Sequence, residues 1–156
     1  MTAGATTGFV PISPNPYVVG NPIRGRTMFF GREAEFDYVR RRYRDHPAGS
    51  LLVFCGERRS GKTSILFQIM DGRLGPEFTP VLIDMQSMAV NDEASFLRKV
   101  ADEILADISF PAEPPRFAPS PQSNNADAFH RFICDVQKAI GERRLVLLFD
   151  EYELFE

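Results

Sequence analysis

At 156 residues the chain has the length of one domain or of a piece of a larger one, and a chain of that size buries roughly 68–70% of its unfolded surface. Its 44% hydrophobic and 25% charged residues exclude wholesale disorder, and a net charge of −3 excludes a blanket polyanion-binding field. The charge is uneven, with seven arginines against three acids from Asn21 to Arg44 and five acids against two arginines from Glu142 to Glu156.

Residues 1–22 carry Pro11, Pro14, Pro16 and Pro22 among glycines, which forbids regular helix or central strand and predicts an extended arm. Residues 1–14 read as a tail, whereas Asn15–Pro22 has the apolar surface of Tyr17, Val18 and Val19 to pack. The domain proper runs over residues 23–156. After Gly31, Phe36, Val39 and Tyr43 recur at helical spacing, with Glu33 and Glu35 in the first turn and Arg40–Arg42 and Arg44 in the last, as the helix dipole favours. His46-Pro47-Ala48-Gly49 ends that helix. Leu51–Cys55, a continuous apolar run, predicts a strand covered on both faces. Lys62–Met70 reads as a helix and Pro80–Met85 as a second buried strand. Asp92–Ile108 carries the clearest helical stripe, from Phe96 and Leu97 through Val100, Ala101, Ile104 and Leu105 to Ile108. Five prolines make residues 109–124 a loop. A helix follows over Ala126–Ile140, with Asn125 as its N-cap and Gly141 beyond its end. Leu145–Phe149 is a third buried strand, running into Asp150-Glu151.

Strands alternating with helices predict a parallel sheet with right-handed crossovers, an α/β layer fold. Cys55 and Cys134 fall inside apolar patterns and read as small buried hydrophobes of a reducing compartment. The longest apolar runs, about five residues, are far short of the ~20 that span a bilayer, and Met1–Phe9 has no secretory signature. A cytoplasmic chain with no membrane partner is the expectation.

The segment Gly56-Glu57-Arg58-Arg59-Ser60-Gly61-Lys62-Thr63 matches G-x-x-x-x-G-K-[ST] in full, between a strand-like run and a helix that continues with Ser64. By accident about one chain in two hundred of this length would match. The motif has a physical logic. Glycines let successive N–H groups turn inward to cradle a phosphate chain, and the following helix adds its positive end. Lys62 then reaches the β- and γ-phosphates, and the Thr63 hydroxyl is a ligand for Mg²⁺.

A second constellation, Leu145-Val146-Leu147-Leu148-Phe149-Asp150-Glu151, delivers two carboxylates at the C-terminal end of a buried strand, where open α/β sheets bind ligands. Asp150 is the expected Mg²⁺ holder and Glu151 the expected general base that polarises an attacking water. Glu151 next to Asp150 favours hydrolysis over phosphate transfer to a second substrate. Other charged residues carry blander readings beside functional ones. Arg58 and Arg59 are solvent-facing loop charges or phosphate contacts, and Arg40–Arg42 with Arg44 are a solvated helix face or a nucleic-acid contact. Asp84 is a capping residue or part of a metal shell. His46 and His130 lack partners at zinc-ligand spacing.

Asn15-Pro16-Tyr17, then Phe29-Phe30-Gly31-Arg32-Glu33, then the glycine-rich loop together resemble the N-terminal half of STAND-type ATPases in the wider AAA+ group. The F-F-G-R-E box also resembles origin-recognition-like ATPases. The resemblance spans roughly residues 15–156 and implies a three-layer α/β/α P-loop NTPase fold that binds ATP and Mg²⁺. It implies that Phe30, Gly31 and Arg32 line the adenine end of the site, although the motif itself leaves guanine open. It further implies that nucleotide switches downstream effector or sensor domains on the same polypeptide, with a homo-oligomer among the partners. An alternative is a DNA-associated AAA+ ATPase; another is a nucleotide-gated scaffold without turnover. Families of this kind have a fourth strand, bearing a polar sensor, and a lid. Neither is found in these 156 residues, so the fold is expected to be incomplete, and to be weakly stable alone, to re-pair its strands or to associate. Such a portion is expected to bind nucleotide, with hydrolysis left to the complete polypeptide.

Overall fold

The computed structural model describes residues 20–25, 28–46, 49–87, 92–119 and 124–152. In chain order its elements are α1 (Glu33–Asp45), α2 (Lys62–Met70), β1 (Phe78–Asp84), α3 (Glu93–Asp107), α4 (Asn125–Ile140) and β2 (Arg144–Asp150), with a short 3-10 turn at Met85–Ser87. The strands pair in parallel, in unbroken register from Phe78 opposite Arg144 to Asp84 opposite Asp150. A parallel pair needs a long crossover, and α3 with α4 provides it.

Because strand side chains alternate, each strand serves two cores. Val81 and Ile83 join Leu145, Leu147 and Phe149 on one face, against Val100 and Ile104 of α3 and Phe132, Val136 and Ile140 of α4. Phe78 and Leu82 join Val146 and Leu148 on the other face, against Phe36 and Val39 of α1 and Ile65, Leu66 and Ile69 of α2. Helices thus cover both faces of a small α/β domain. Each fully buried aliphatic or Phe side chain among these contributes about 1.5–3 kcal/mol.

The helix ends follow from local chemistry. Asp92 caps α3, its carboxylate accepting from Ser95 N and Ser95 Oγ at 2.8 Å each. Those two bonds hold its carboxyl below the usual aspartate value. Asn124, one residue before the expected cap, takes the N-cap of α4 by accepting from Ala126 N at 3.0 Å. Between these helices residues 109–119 are irregular, as the prolines require, and Phe117 lies 5.9 Å from Phe129 and 5.8 Å from Phe132, ring centre to ring centre.

Two expectations change. Leu51–Cys55 is not a strand: the sheet of the described residues has two strands, and Leu51 and Val53 stand 85% and 72% exposed. The exposure still alternates with a strand's period, since Leu52 and Phe54 pack against the α1–α2 core. No neighbouring strand covers the other side among the described residues, so half of the apolar run stays in water. For the same reason Cys55 is exposed, and Cys134 is only half-buried, on the flank of α4 between the buried Phe132 and Val136. Of the packed arm expected at Asn15–Pro22, residues 15–19 lie outside the described residues. Residues 23–25 do run along α2: Ile23 N donates to Ser64 Oγ at 2.9 Å, Gly25 N donates to Asp71 Oδ2 at 3.1 Å, Gln68 Nε2 donates to Gly25 O at 2.8 Å, and the Arg24 guanidinium lies 4.3 Å from the centre of the Phe67 ring. No helix among the described residues is long and apolar enough to cross a membrane.

Candidate functional site

The glycine-rich loop leads directly into α2, and its backbone explains its glycines. Gly61, the N-cap residue of α2, has φ 90, a left-handed value that suits glycine. At Gly56 a Cβ would lie 2.9 Å from Ser60 Oγ, so a side chain there would require the Ser60 hydroxyl to turn away. Ser60 N closes the turn on Glu57 O at 3.2 Å, and Ile65 N makes the first helical bond to Gly61 O at 3.1 Å. Arg58 and Arg59 are exposed on the turn, with Arg59 also left-handed at φ 65.

Two cations grip the carbonyl side of this loop. Lys62 Nζ donates to Gly56 O at 2.9 Å and to Glu57 O at 3.2 Å. Arg32 donates through one guanidinium nitrogen to Ser60 O at 3.2 Å and through the other to Glu35 Oε1 at 2.9 Å. That hydrogen bond from Arg32 holds the Glu35 carboxyl below the usual glutamate value.

Across the sheet end, Thr63 Oγ1 donates to Asp150 Oδ1 at 3.1 Å. The same oxygen accepts from Glu151 N at 3.2 Å, so Oδ2 takes neither bond. Glu151 itself is exposed and left-handed, with φ 56, where β2 ends. Asp84 ends β1 in register with Asp150, and its Oδ1 accepts from Gln86 N at 2.9 Å. Both strands therefore deliver a carboxylate to the same end of the sheet.

Thr63 and Asp150 are brought together by their hydrogen bond, while Lys62 folds back onto the loop carbonyls. Ser64, 6% exposed, faces the arm as the acceptor for Ile23 N. Of the 30–32 box, Phe30 is 78% exposed, Gly31 has φ 74, and Arg32 reaches the loop carbonyl of Ser60. Beside the loop lies a cavity of about 480 Å³, whose lining includes Arg32, Glu35 and Lys62 together with Tyr38, Leu52, Phe54 and Ile65. Three of the α1 arginines are bonded within the fold: Arg40 to Asp37 and to Arg73 O, Arg41 to Asp37 O, and Arg42 to the His46 ring.

Two features escaped sequence reasoning. The Arg32–Glu35–Ser60 bridge joins groups 28 residues apart, which no periodicity reveals. The Asp84–Asp150 register, by contrast, left a signal in the shared endings Leu82-Ile83-Asp84 and Leu148-Phe149-Asp150. Among the described residues no three His, Cys, Asp or Glu side chains converge as a metal cluster. Compared with family models, with curated proteins and with solved structures, the chain matches none of them.

Proposed function

We propose that this chain is a nucleotide-binding module, the N-terminal portion of a P-loop ATPase of the STAND type. In this reading residues 56–63 embrace the phosphates of ATP, and Thr63 with Asp150 holds the accompanying Mg²⁺. The observation that carries it is the 3.1 Å bond between Thr63 and Asp150, two side chains 87 residues apart in sequence. They meet where the N-terminus of α2 faces the C-terminal end of a parallel strand, the end at which such sheets bind ligands.

The donor chemistry fits the metal. A hydroxyl and a carboxylate are hard oxygen donors, and Mg²⁺ is held by one or two carboxylates together with phosphate and water oxygens rather than by an all-protein cage. When bound, the ion neutralises phosphate charge and polarises a phosphoryl oxygen.

The remaining steps belong to the chain. Loop amides and the α2 N-terminus bind and orient the phosphates. Lys62 moves from its two carbonyls to a phosphate oxygen. Glu151, free in solvent beyond Asp150, accepts a proton from the attacking water. Phe30 has an open ring face with which to cover a base, in keeping with an adenine end near residues 30–32. In the complete polypeptide, nucleotide would bias attached effector or sensor domains between two arrangements.

The test is Glu151→Gln in the complete polypeptide, with Mg-ATP affinity and phosphate release both measured. Retained affinity with lost turnover supports the assignment, and undiminished turnover removes Glu151 as the base. Binding without turnover in the unmutated protein would leave a nucleotide-gated scaffold.

A further inference from the structure

Three carbonyls of the glycine-rich loop are held by cations, Gly56 and Glu57 by Lys62 and Ser60 by Arg32. The two cations differ in how they are tethered. Lys62 is a compact ammonium on a flexible stem, and both of its loop partners are neutral carbonyls. A polyphosphate offers it charged oxygens, so the ammonium leaves the carbonyls when an anion enters. Arg32 is anchored at both ends by a planar fork, one nitrogen on the Glu35 carboxylate at 2.9 Å and the other on Ser60 O at 3.2 Å.

The backbone is shaped to permit this bridge. Gly31 and Arg32 are consecutive left-handed residues, φ 74 and φ 65, and Arg32 occupies the N-cap position of α1 without capping it by its side chain. A non-glycine residue in that conformation is strained and persists where its surroundings fix it. Here the guanidinium is fixed on one side by the first turn of α1 and on the other by the loop.

We propose that Arg32 is a positioning residue: it ties the glycine-rich loop to α1 through Glu35 and keeps the loop in its anion-accepting shape after Lys62 has moved to the phosphate. The proposal rests on the nucleotide reading above for its ligand, but the holding of the loop is a property of the free protein as well. Because the pair is half-exposed, it adds little to global stability, so its loss acts on loop order rather than on folding.

The experiment combines hydrogen exchange at the amides of residues 57–61 in nucleotide-free protein with Mg-ATP titration, for Arg32→Ala, Arg32→Lys and Glu35→Gln. Melting curves check that each variant is folded, and Arg32→Lys serves if Arg32→Ala is not. All three variants are expected to speed loop exchange, and to weaken Mg-ATP by about five- to tenfold, as expected from one charge-assisted hydrogen bond at a half-exposed site. Glu35→Gln is decisive, since it keeps the guanidinium but loosens its anchor. If Arg32 were instead a direct phosphate contact, Glu35→Gln would tighten or preserve binding, and Arg32→Lys would restore it. Either result overturns the proposal, as does unchanged loop exchange in Arg32→Ala. If the unmutated protein binds no Mg-ATP, the nucleotide reading fails, and the exchange measurement alone decides whether Arg32 holds the loop.

Discussion

Under the proposed function, a phosphate arriving at the loop must draw Lys62 from its carbonyls, and replacing Lys62 by alanine removes that interaction. In the free protein its ammonium makes two hydrogen bonds to neutral carbonyls, at 2.9 and 3.2 Å. At a partly solvated site, an ammonium 4 Å from a unit negative charge is attracted by roughly 4 kcal/mol. Surrendering two solvent-exposed carbonyl bonds offsets about 1–2 kcal/mol of that. The net contribution of about 2–3 kcal/mol corresponds to a rise of about 30- to 150-fold in Kd for Mg-ATP. Isothermal titration at concentrations suited to the unmutated protein would then record almost no heat from Lys62→Ala. The melting temperature of the nucleotide-free protein should change little, because the lost bonds are exposed. An affinity within twofold of the unmutated protein would show that Lys62 does not serve the phosphates.

Phe132→Ala opens a void on α4 beside the rings of Phe117 and Phe129 and should cost about 3–5 kcal/mol in urea denaturation, with a loss below about 1 kcal/mol contradicting this core packing. Asp92→Ala should lower the melting temperature by uncapping α3, and the effect should depend on pH. The Asp92 carboxyl is held below its ordinary value by Ser95, so its stabilisation is complete above the ordinary aspartate pKa and is lost as pH falls through the depressed one. Melting curves of the two proteins should therefore converge in acid, and a gap that persists there would remove the capping role.

The sequence disclosed those parts of the molecule that depend on local pattern. The apolar stripes of α3 and α4, the helix that opens at Lys62 and the two strands of the sheet all follow from spacing, with ends shifted by a residue or two. Thr63 and Asp150 were legible because a motif fixes one and a strand end fixes the other. Leu51–Cys55 was not, because an apolar run reveals a tendency to be buried without revealing which neighbours exist to bury it. The same ignorance misplaced Cys55, which points away from the core with Leu51 and Val53. The choice of Asn124 over Asn125 as the cap of α4 lay in backbone geometry, since both residues have the required side chain. Arg32 was expected by resemblance at the adenine end of a site, but its bond to Ser60 depends on two left-handed residues that composition does not announce.

The central claim is that Thr63 and Asp150 together serve a magnesium ion bound with nucleotide at the glycine-rich loop. Calorimetric titration of ATP into the protein, with Mg²⁺ and with chelator, tests it for the unmutated chain and for Asp150→Asn. Tight binding that needs Mg²⁺, and that loses its metal dependence in Asp150→Asn, is the predicted result. No heat with nucleotide, or equal affinity with and without the metal in both proteins, would contradict it.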